Sequence, residues 1–265
     1  MATCPHRHDA GRDRGGPVSP RPPAVRAGLD VEAALAAEEE PTAPVLVAGM
    51  DEVGRGALAG PVVVGVCAAR VPAAGEIPAV RDSKALTDRR RRLLVPEIRA
   101  WAAGHALGEA GPDEVDRHGI TGALALAGAR AWAVLVAELR EAPVVLILDG
   151  SDDWLRHART GMVAGLVPGP VPPEPHLMVK AEDRCATVAA ASILAKVGRD
   201  DTMTALDADH PAYGWAGNKG YGAAAHRRAI LERGATEHHR RSWNLGLPAP
   251  ERTAGDDDAP PTLFD

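Results

Sequence analysis

Aromatic residues are scarce in this chain of 265 residues, with five Trp, two Tyr and one Phe making up 3% of the sequence. Hydrophobic residues nevertheless reach 45%, which is enough for a core of Ala, Val and Leu in one large domain or two small ones. The chain has no apolar run long enough to cross a membrane, which takes about 18 residues, and no apolar signal segment at its start. We therefore expect a cytoplasmic protein without membrane association.

Cysteine is also rare. Its three positions, Cys4, Cys67 and Cys185, form neither an even set nor a C-x-x-C pair, which argues against a disulfide framework and against a zinc site. We expect three free thiols, two of them in the core.

Lysine is the third scarce residue, because only Lys84, Lys180, Lys196 and Lys219 occur among 30 basic residues. Each lies in a motif-like segment, and in a chain that uses Arg for generic positive charge these positions favour a compact ammonium group. We expect Lys84, Lys180 and Lys219 to contact a substrate.

The net charge of −6 is concentrated in the two terminal segments. Residues 1–44 hold five Arg against seven acidic residues, and residues 249–265 hold one Arg against five. The remainder is neutral, and within it residues 212–248 carry six Lys or Arg against two Glu. This basic segment suits a phosphate-binding face, although basic helix ends are also ordinary solvated surface.

Composition divides the chain into three parts. Residues 1–44 are rich in Pro, Gly, Ala and Arg and predict a mostly disordered arm with a short helix over 31–40. Residues 45–248 predict the folded domain, and residues 249–265 an acidic disordered tail.

Within the domain, apolar runs and helical periodicity alternate after an initial antiparallel hairpin, which predicts an α/β fold with a mixed sheet. The predicted strands are 45–50, 62–70, 106–110, 144–148 and 176–180. The predicted helices are 87–103, with Pro96 bending or dividing it, 122–140 and 187–206.

Acidic residues follow three of the predicted strands: Asp51 with Glu52, then Asp149, then Glu182 with Asp183. The carboxyl ends of strands are where α/β sheets build their sites, so these groups are candidates to converge in one cleft. Converging carboxylates need a cation, and oxygen ligands select Mg²⁺ or Mn²⁺ over zinc. The alternative is local: Asp149-Gly150 as a turn and Glu182-Asp183 as a helix start.

A glycine-rich turn follows the first acidic pair. Gly54 and Gly56 let the backbone approach a ligand closely, and Arg55 adds a fixed charge suited to phosphate.

Several motifs together resemble bacterial ribonuclease HII. They are DEVGRG at 51–56, AGPVV at 59–63, DSK at 82–84, DG at 149–150, AAASILAKVGRD at 189–200, YGW and NKGY within 213–221, and HRRSW at 239–243. The resemblance covers nearly all of residues 45–245. It implies a ribonuclease H-like fold, in which helices flank a central mixed sheet and a small C-terminal helical part follows.

The resemblance also implies an activity and its site. We expect a metal-dependent endonuclease that cuts the RNA strand of RNA/DNA hybrids and cuts at single ribonucleotides in duplex DNA, by two-metal-ion hydrolysis that leaves 5′-phosphate and 3′-hydroxyl ends. Asp51, Glu52 and Asp149 match the family's metal-binding acids. Gly54, Arg55 and Gly56 match the loop that recognises the ribose 2′-hydroxyl, and Tyr221 matches the tyrosine that packs on the sugar.

One position departs from the family pattern, which has Lys-x-Asp where this chain has Lys180-Ala181-Glu182 and then Asp183. An ungapped register makes Glu182 the fourth catalytic acid, with Asp183 as the alternative. Two other functions stay open: a catalytically weakened hybrid-binding protein, and type III ribonuclease H.

The tail ends in Leu263-Phe264-Asp265, with the only Phe of the chain. Such segments are similar to peptides that bind the bacterial sliding clamp, so we expect a weak clamp contact through Leu263 and Phe264, with an ordinary terminus as the alternative. We expect the protein itself to be a monomer.

Overall fold

A computed structural model of the protein describes residues 26–39, 44–73, 75–167 and 169–247. The strands are β1 (Val45–Val53), β2 (Val62–Val71), β3 (Gly104–Ala110), β4 (Val145–Asp149) and β5 (His176–Met178). They form one sheet in the order β3-β2-β1-β4-β5. β1 pairs antiparallel with β2 and β2 with β3, whereas β4 runs parallel to β1 and β5 to β4. The predicted hairpin and mixed sheet are confirmed.

Seven α-helices surround this sheet in the described residues. They are α1 (Asp30–Glu39), α2 (Asp88–Trp101), α3 (Pro112–Leu139), α4 (Arg156–Arg159), α5 (Ala186–Asp209), α6 (Trp215–Asn218) and α7 (Ala224–Arg233). The three predicted helices correspond to α2, α3 and α5. Pro96 lies inside α2 without dividing it.

α5 crosses one face of the sheet in close contact with β1 and β2. A Cβ atom at Gly49 would collide with the backbone of Val188, and one at Gly65 with the carbonyl of Ala191. Glycine in the strands and alanine in the helix therefore bring the two backbones together. This contact fixes the position of α5 relative to the end of β1.

α3 covers the opposite face, where Ala48, Met50 and Leu148 pack against its alanines, leucines and Trp132. The helix is long and apolar enough to cross a membrane by composition alone, but most of it is buried against the sheet. It is a core helix of this domain. Gly119, with φ of +67°, interrupts its helical geometry near the N-terminal end.

Residues 26–39 correct the predicted domain boundary, because this part of the predicted arm packs on the domain. Ala36 lies in a cluster with Val47 and Ile147, and the buried carboxylate of Glu32 accepts hydrogen bonds from the backbone N and the hydroxyl of Thr187 at 3.0 and 2.9 Å. Composition suggested disorder because α1 is stabilised by packing on the sheet and by Thr187 of α5, contacts that local composition does not reveal. Residues 1–25 and 248–265, and with them Cys4, Leu263 and Phe264, lie outside the described residues.

The C-terminal part is the small helical unit that was expected. Leu58, Met203, Tyr213, Trp215 and Ile230 share one apolar cluster, which joins this unit to the turn after β1 and to the end of α5. Cys67 and Cys185 are free and buried, as predicted.

Candidate active site

Asp51 and Asp149 lie side by side at the carboxyl ends of two parallel strands. Met50 of β1 is paired with Leu148 of β4, so the next residue on each strand is acidic. Side chains alternate along a strand, and Met50 and Leu148 face α3, so Asp51 and Asp149 face α5. Asp149 is fixed by the backbone N of Ala181, which donates to its Oδ1 at 2.7 Å.

β1 does not end at Met50 but continues to Val53. Asp51 and Glu52 are therefore both strand residues, paired with Gly65 and Val64 of β2. The sequence interpretation that the strand stops before the acidic pair is wrong. Beyond Met50 only β2 pairs with β1, since the register with β4 stops there, and this open edge leaves room for two successive carboxylates to reach one cleft.

Glu182 completes the acidic group from a different direction. It lies in a one-turn 3-10 helix, Ala181–Asp183, that leads into α5. Its carboxylate receives the Ser192 hydroxyl at 3.3 Å and the Lys84 ammonium at 3.3 Å. Glu182 is 7% exposed, whereas Asp183 points to solvent. The fold thus brings Glu182, and not Asp183, to the cleft.

The electrostatics show that these carboxylates crowd one another. The pKa of Asp51 is raised to about 7, mainly by burial and also by the charges of Glu52, Glu182 and Asp149, while hydrogen bonding from Ser192 acts in the opposite direction. Burial also raises the pKa of Glu52, although Arg55 acts in the opposite direction. Burial likewise raises the pKa of Glu182 against the attraction of Lys84.

A cleft with these properties favours a divalent cation. Four carboxylate side chains share it, and burial disfavours the ionised forms of Asp51, Glu52 and Glu182 until positive charge is supplied. Asp51, Glu52, Asp149 and Glu182 therefore form a set that fits a hard, oxygen-preferring ion.

The Gly-rich turn is held by two buried arginines. A Cβ atom at Gly54, where φ is +86°, would collide with the Arg199 guanidinium. Arg199 donates to the carbonyl oxygens of Pro61 and Ala59 at 2.8 and 3.1 Å. From the other side, Arg240 donates to the carbonyls of Gly54 and Arg55 at 2.7 and 2.8 Å.

This support leaves the turn itself accessible. The Arg55 side chain is 46% exposed and lies 3.5 Å from the Glu52 carboxylate, and nothing lies within 4 Å of a Cβ position at Gly56. Arg240, counted in the basic segment that the sequence suggested as a phosphate-binding face, is fully buried and acts on the backbone instead.

Tyr221 lies next to the turn. The carbonyl of the preceding Gly220 accepts hydrogen bonds from the backbone N of Leu58 and Ala59, and the Arg199 guanidinium lies 5.6 Å from the Tyr221 ring centroid. Tyr221 is 40% exposed. Turn and tyrosine thus form one surface beside the acidic cleft.

The three predicted substrate lysines have different surroundings. Lys84 borders the cleft through Glu182, with a side chain that is 77% exposed. Lys219 donates to the Thr204 hydroxyl at 2.8 Å and to the Asp200 carbonyl at 3.3 Å, so its ammonium is directed at α5. Lys180 is exposed and adopts a left-handed conformation, with φ of +58°, just ahead of Glu182.

Comparison with known proteins identifies the family. The model of the family described as Ribonuclease HII matches residues 48–127 and 171–245. Ribonuclease HII of Streptomyces coelicolor is 43% identical over 206 residues, covering 76% of this chain and 78% of the relative.

The chain belongs to the ribonuclease HII family. It is accordingly a metal-dependent endoribonuclease acting on RNA/DNA hybrids.

Solved structures agree with the ribonuclease H-like fold. Bst-RNase HIII in complex with Mn²⁺ superposes with a TM-score of 0.60 at 28% identity, covering 80% of this chain and 71% of that one. The ribonuclease HII of Archaeoglobus fulgidus, solved as a complex with PCNA, gives a TM-score of 0.56 at 25% identity, covering 80% and 100%. The type III enzyme shares the fold, but the family model that matches is that of ribonuclease HII.

Three polar residues of this ribonuclease HII site were not singled out from the sequence. Ser192 is the one hydroxyl among residues 189–195 of α5, and it contacts Ser83 at 2.9 Å besides Glu182. Arg199 and Arg240 are fully buried charges. The available signal for Ser192 and Arg199 was a polar side chain in a largely apolar helix. Arg240 was marked only by its place in the HRRSW motif at 239–243.

Proposed function

We propose that this ribonuclease HII cuts at single ribonucleotides within duplex DNA as well as along RNA/DNA hybrids, leaving 5′-phosphate and 3′-hydroxyl ends. The observation that supports this most directly is the position of the accessible turn at Gly54, Arg55 and Gly56 beside the four carboxylates. A backbone turn next to the hydrolytic centre can contact the sugar of a single nucleotide. One ribose in a DNA strand is then enough to determine where the strand is cut.

The proposed metal ligands are Asp51, Glu52 and Asp149, with Glu182 as the fourth acidic group. Two divalent ions held there would supply an activated water and charge stabilisation for the leaving oxygen. Mg²⁺ and Mn²⁺ both fit carboxylate ligands, and the Mn²⁺ complex of a structural neighbour supports this choice. The protein residues would orient the phosphodiester, and the bound cations would favour the ionised carboxylates.

Substrate recognition in this proposal combines two kinds of contact. The turn and the hydroxyl of Tyr221 contact the ribose 2′-hydroxyl, while the Tyr221 ring packs on the sugar. The exposed ammonium of Lys84 contacts the phosphate backbone and so contributes to affinity but not to sugar choice. Lys180 has the exposure for the same task, whereas Lys219 reaches substrate only if it leaves Thr204.

A cleavage assay with three matched duplexes tests this function. One contains a single ribonucleotide, one is a full RNA/DNA hybrid and one is all DNA, each assayed with Mg²⁺, Mn²⁺ or EDTA. We expect cuts in the first two only, with metal, and a product end that a ligase accepts as 5′-phosphate. Tight binding without cleavage in either metal would instead favour the alternative of a catalytically weakened hybrid-binding protein in which Glu182 has disabled the site.

We further propose the clamp contact through Leu263 and Phe264, supported by the tail sequence and by the PCNA complex of the archaeal neighbour. A fluorescent peptide of residues 254–265 titrated against the bacterial clamp should bind saturably. The same peptide with Leu263→Ala and Phe264→Ala is the control, and equal binding of both peptides would end the idea. The cytoplasmic location, the monomeric state and a disordered tail are proposed on the sequence alone.

A further inference from the structure

A second group of metal-ligating side chains lies in the C-terminal helical unit, apart from the carboxylate cleft. It consists of His210, Glu237 and His238, whose candidate ligand atoms all lie within 4.8 Å of one another. The His238 Nε2 atom is 3.7 Å from the Glu237 carboxylate. The sequence did not suggest this group, because His210 follows the end of α5 and is far along the chain from the other two.

The two imidazoles are held in place by aromatic neighbours. The His210 and His238 rings meet edge to face with centroids 5.2 Å apart. Trp215, which is fully buried, packs against both, with its centroid 5.5 Å from His210 and 5.9 Å from His238. This apolar packing restricts the motion of the two half-buried imidazoles. Metal binding would therefore cost little additional side-chain conformational entropy.

The backbone of this group is also fixed. The carbonyl oxygen of His238 accepts a hydrogen bond from the backbone N of Gly60 at 2.8 Å, and the backbone N of His210 bonds to Leu206 in the last turn of α5. Glu237 remains exposed, which leaves an open side for a water ligand.

We propose that His210, Glu237 and His238 bind a borderline transition-metal dication, with Zn²⁺ as the first candidate. Two imidazoles and one carboxylate are a zinc-type ligand set, and a water completes four-coordination. Mg²⁺ binds this set poorly because it prefers oxygen ligands in an octahedral arrangement. The two metal sites of the protein therefore differ in the metal they select.

The site has a structural consequence for the substrate loop. His238 and Arg240 lie on one short segment that binds the carbonyls and the backbone N of the turn from Gly54 to Gly60. A metal that joins His210 to this segment would tie the turn to the end of α5. Bound metal should therefore stabilise the fold and the loop without taking part in hydrolysis.

A metal titration tests the proposal on the full chain. The sequence Cys4-Pro5-His6-Arg7-His8 offers a competing ligand set, so the background protein carries Cys4→Ser, His6→Ala and His8→Ala. ZnCl₂ binding is measured by calorimetry and by thermal unfolding in excess Mg²⁺, which occupies the carboxylate cleft. The site variant adds His210→Ala and His238→Ala, and the matched control adds His105→Ala and His176→Ala instead.

We expect one saturable Zn²⁺ site and a rise in melting temperature in the background and the control, and at least about tenfold weaker binding in the site variant. Because the histidine substitutions also remove packing against Trp215, exposed Glu237→Ala serves as a second variant that leaves the core intact and should weaken binding as well. Equal Zn²⁺ affinity in background, site variant and Glu237→Ala would overturn the proposal. So would the lack of saturable binding in the background.

Discussion

The guanidinium of Arg240 donates to the carbonyl oxygen of Gly54 at 2.7 Å, across 186 residues of sequence. The same side chain reaches the carbonyls of Arg55 and Gly60. The guanidinium of Arg240 is buried. Its burial, and then the charge of Arg199, lower its pKa to about 10. Burying a cation whose hydrogen-bond acceptors are all carbonyls has a large desolvation free energy. Here the buried Arg240 fixes the turn that is proposed to recognise ribose.

Arg240→Lys tests this support. An ammonium keeps the charge but lacks the planar fork that serves several carbonyls at once, so we expect a lower melting temperature and a fall of about tenfold or more in kcat/KM on a single-ribonucleotide duplex. The exposed neighbour Arg241→Lys is the control. If both variants behave alike, Arg240 does not organise the turn.

Asp51→Asn should abolish cleavage and leave hybrid binding largely intact, because it removes the charge of a proposed metal ligand with little change in shape. Metal stabilisation is worth several kcal/mol, so a residual rate above about a tenth of wild type would rule Asp51 out as a central ligand. The control is Asp183→Asn.

The same substitution should raise the melting temperature in EDTA at pH 8. Asp51 has a folded-state pKa of about 7, above its ordinary value of 3.8, so the folded state binds a proton more readily than the unfolded one and loses stability as pH rises between these values. The gain from Asp51→Asn should therefore shrink as pH falls below 7. A gain that is constant with pH would contradict the raised pKa.

The fourth acidic position is tested by a ranking of variants. Glu182→Gln should lower activity more than Asp183→Asn, because Glu182 lies in the cleft with Lys84 and Ser192 while Asp183 is solvent-exposed. Glu182→Asp should be neutral or activating if the longer side chain is merely accommodated. The reverse ranking would assign the role to Asp183.

Tyr221→Ala should impair cleavage at a single ribonucleotide more than duplex binding, since most affinity comes from phosphate contacts. Tyr221→Phe keeps the ring beside Arg199 and removes only the hydroxyl, so it should recover binding fully and cleavage in part. Equal losses of binding and cleavage in Tyr221→Ala would make the residue structural.

Buried histidines give the protein an acid-sensitive C-terminal unit. Burial, and then the charge of His226, lower the pKa of His239 from 6.5 to about 4. The unfolded chain therefore binds a proton that the folded one does not, and the free energy of unfolding should fall as pH drops from 7 toward 4. Denaturant unfolding in saturating Mg²⁺, which keeps the carboxylates ionised, should show a steeper fall for wild type than for His239→Asn. Exposed His176→Asn should retain the wild-type slope.

Much of the fold was predictable from local pattern. The patterns that predict the strands, the Ala-rich helix and the acidic strand ends are local in sequence. These elements appear close to where the sequence predicts them. β1 was predicted over 45–50, and its extension through Asp51 and Glu52 to Val53 was missed. Those last residues are stabilised by pairing with β2, not by their own apolar pattern.

By itself the sequence determined the chemistry: acidic groups for a hard cation, a glycine-rich turn, and a composition poor in cysteine and aromatics. Only the tertiary structure decided which groups meet. It brings Glu182 to Asp51 through a shared contact with Ser192, seats Glu32 of the predicted arm on Thr187, and joins His210 to His238. These choices rest on packing between residues far apart in sequence. Glu182 is buried in the cleft and its neighbour Asp183 is exposed, a difference that no local pattern encodes.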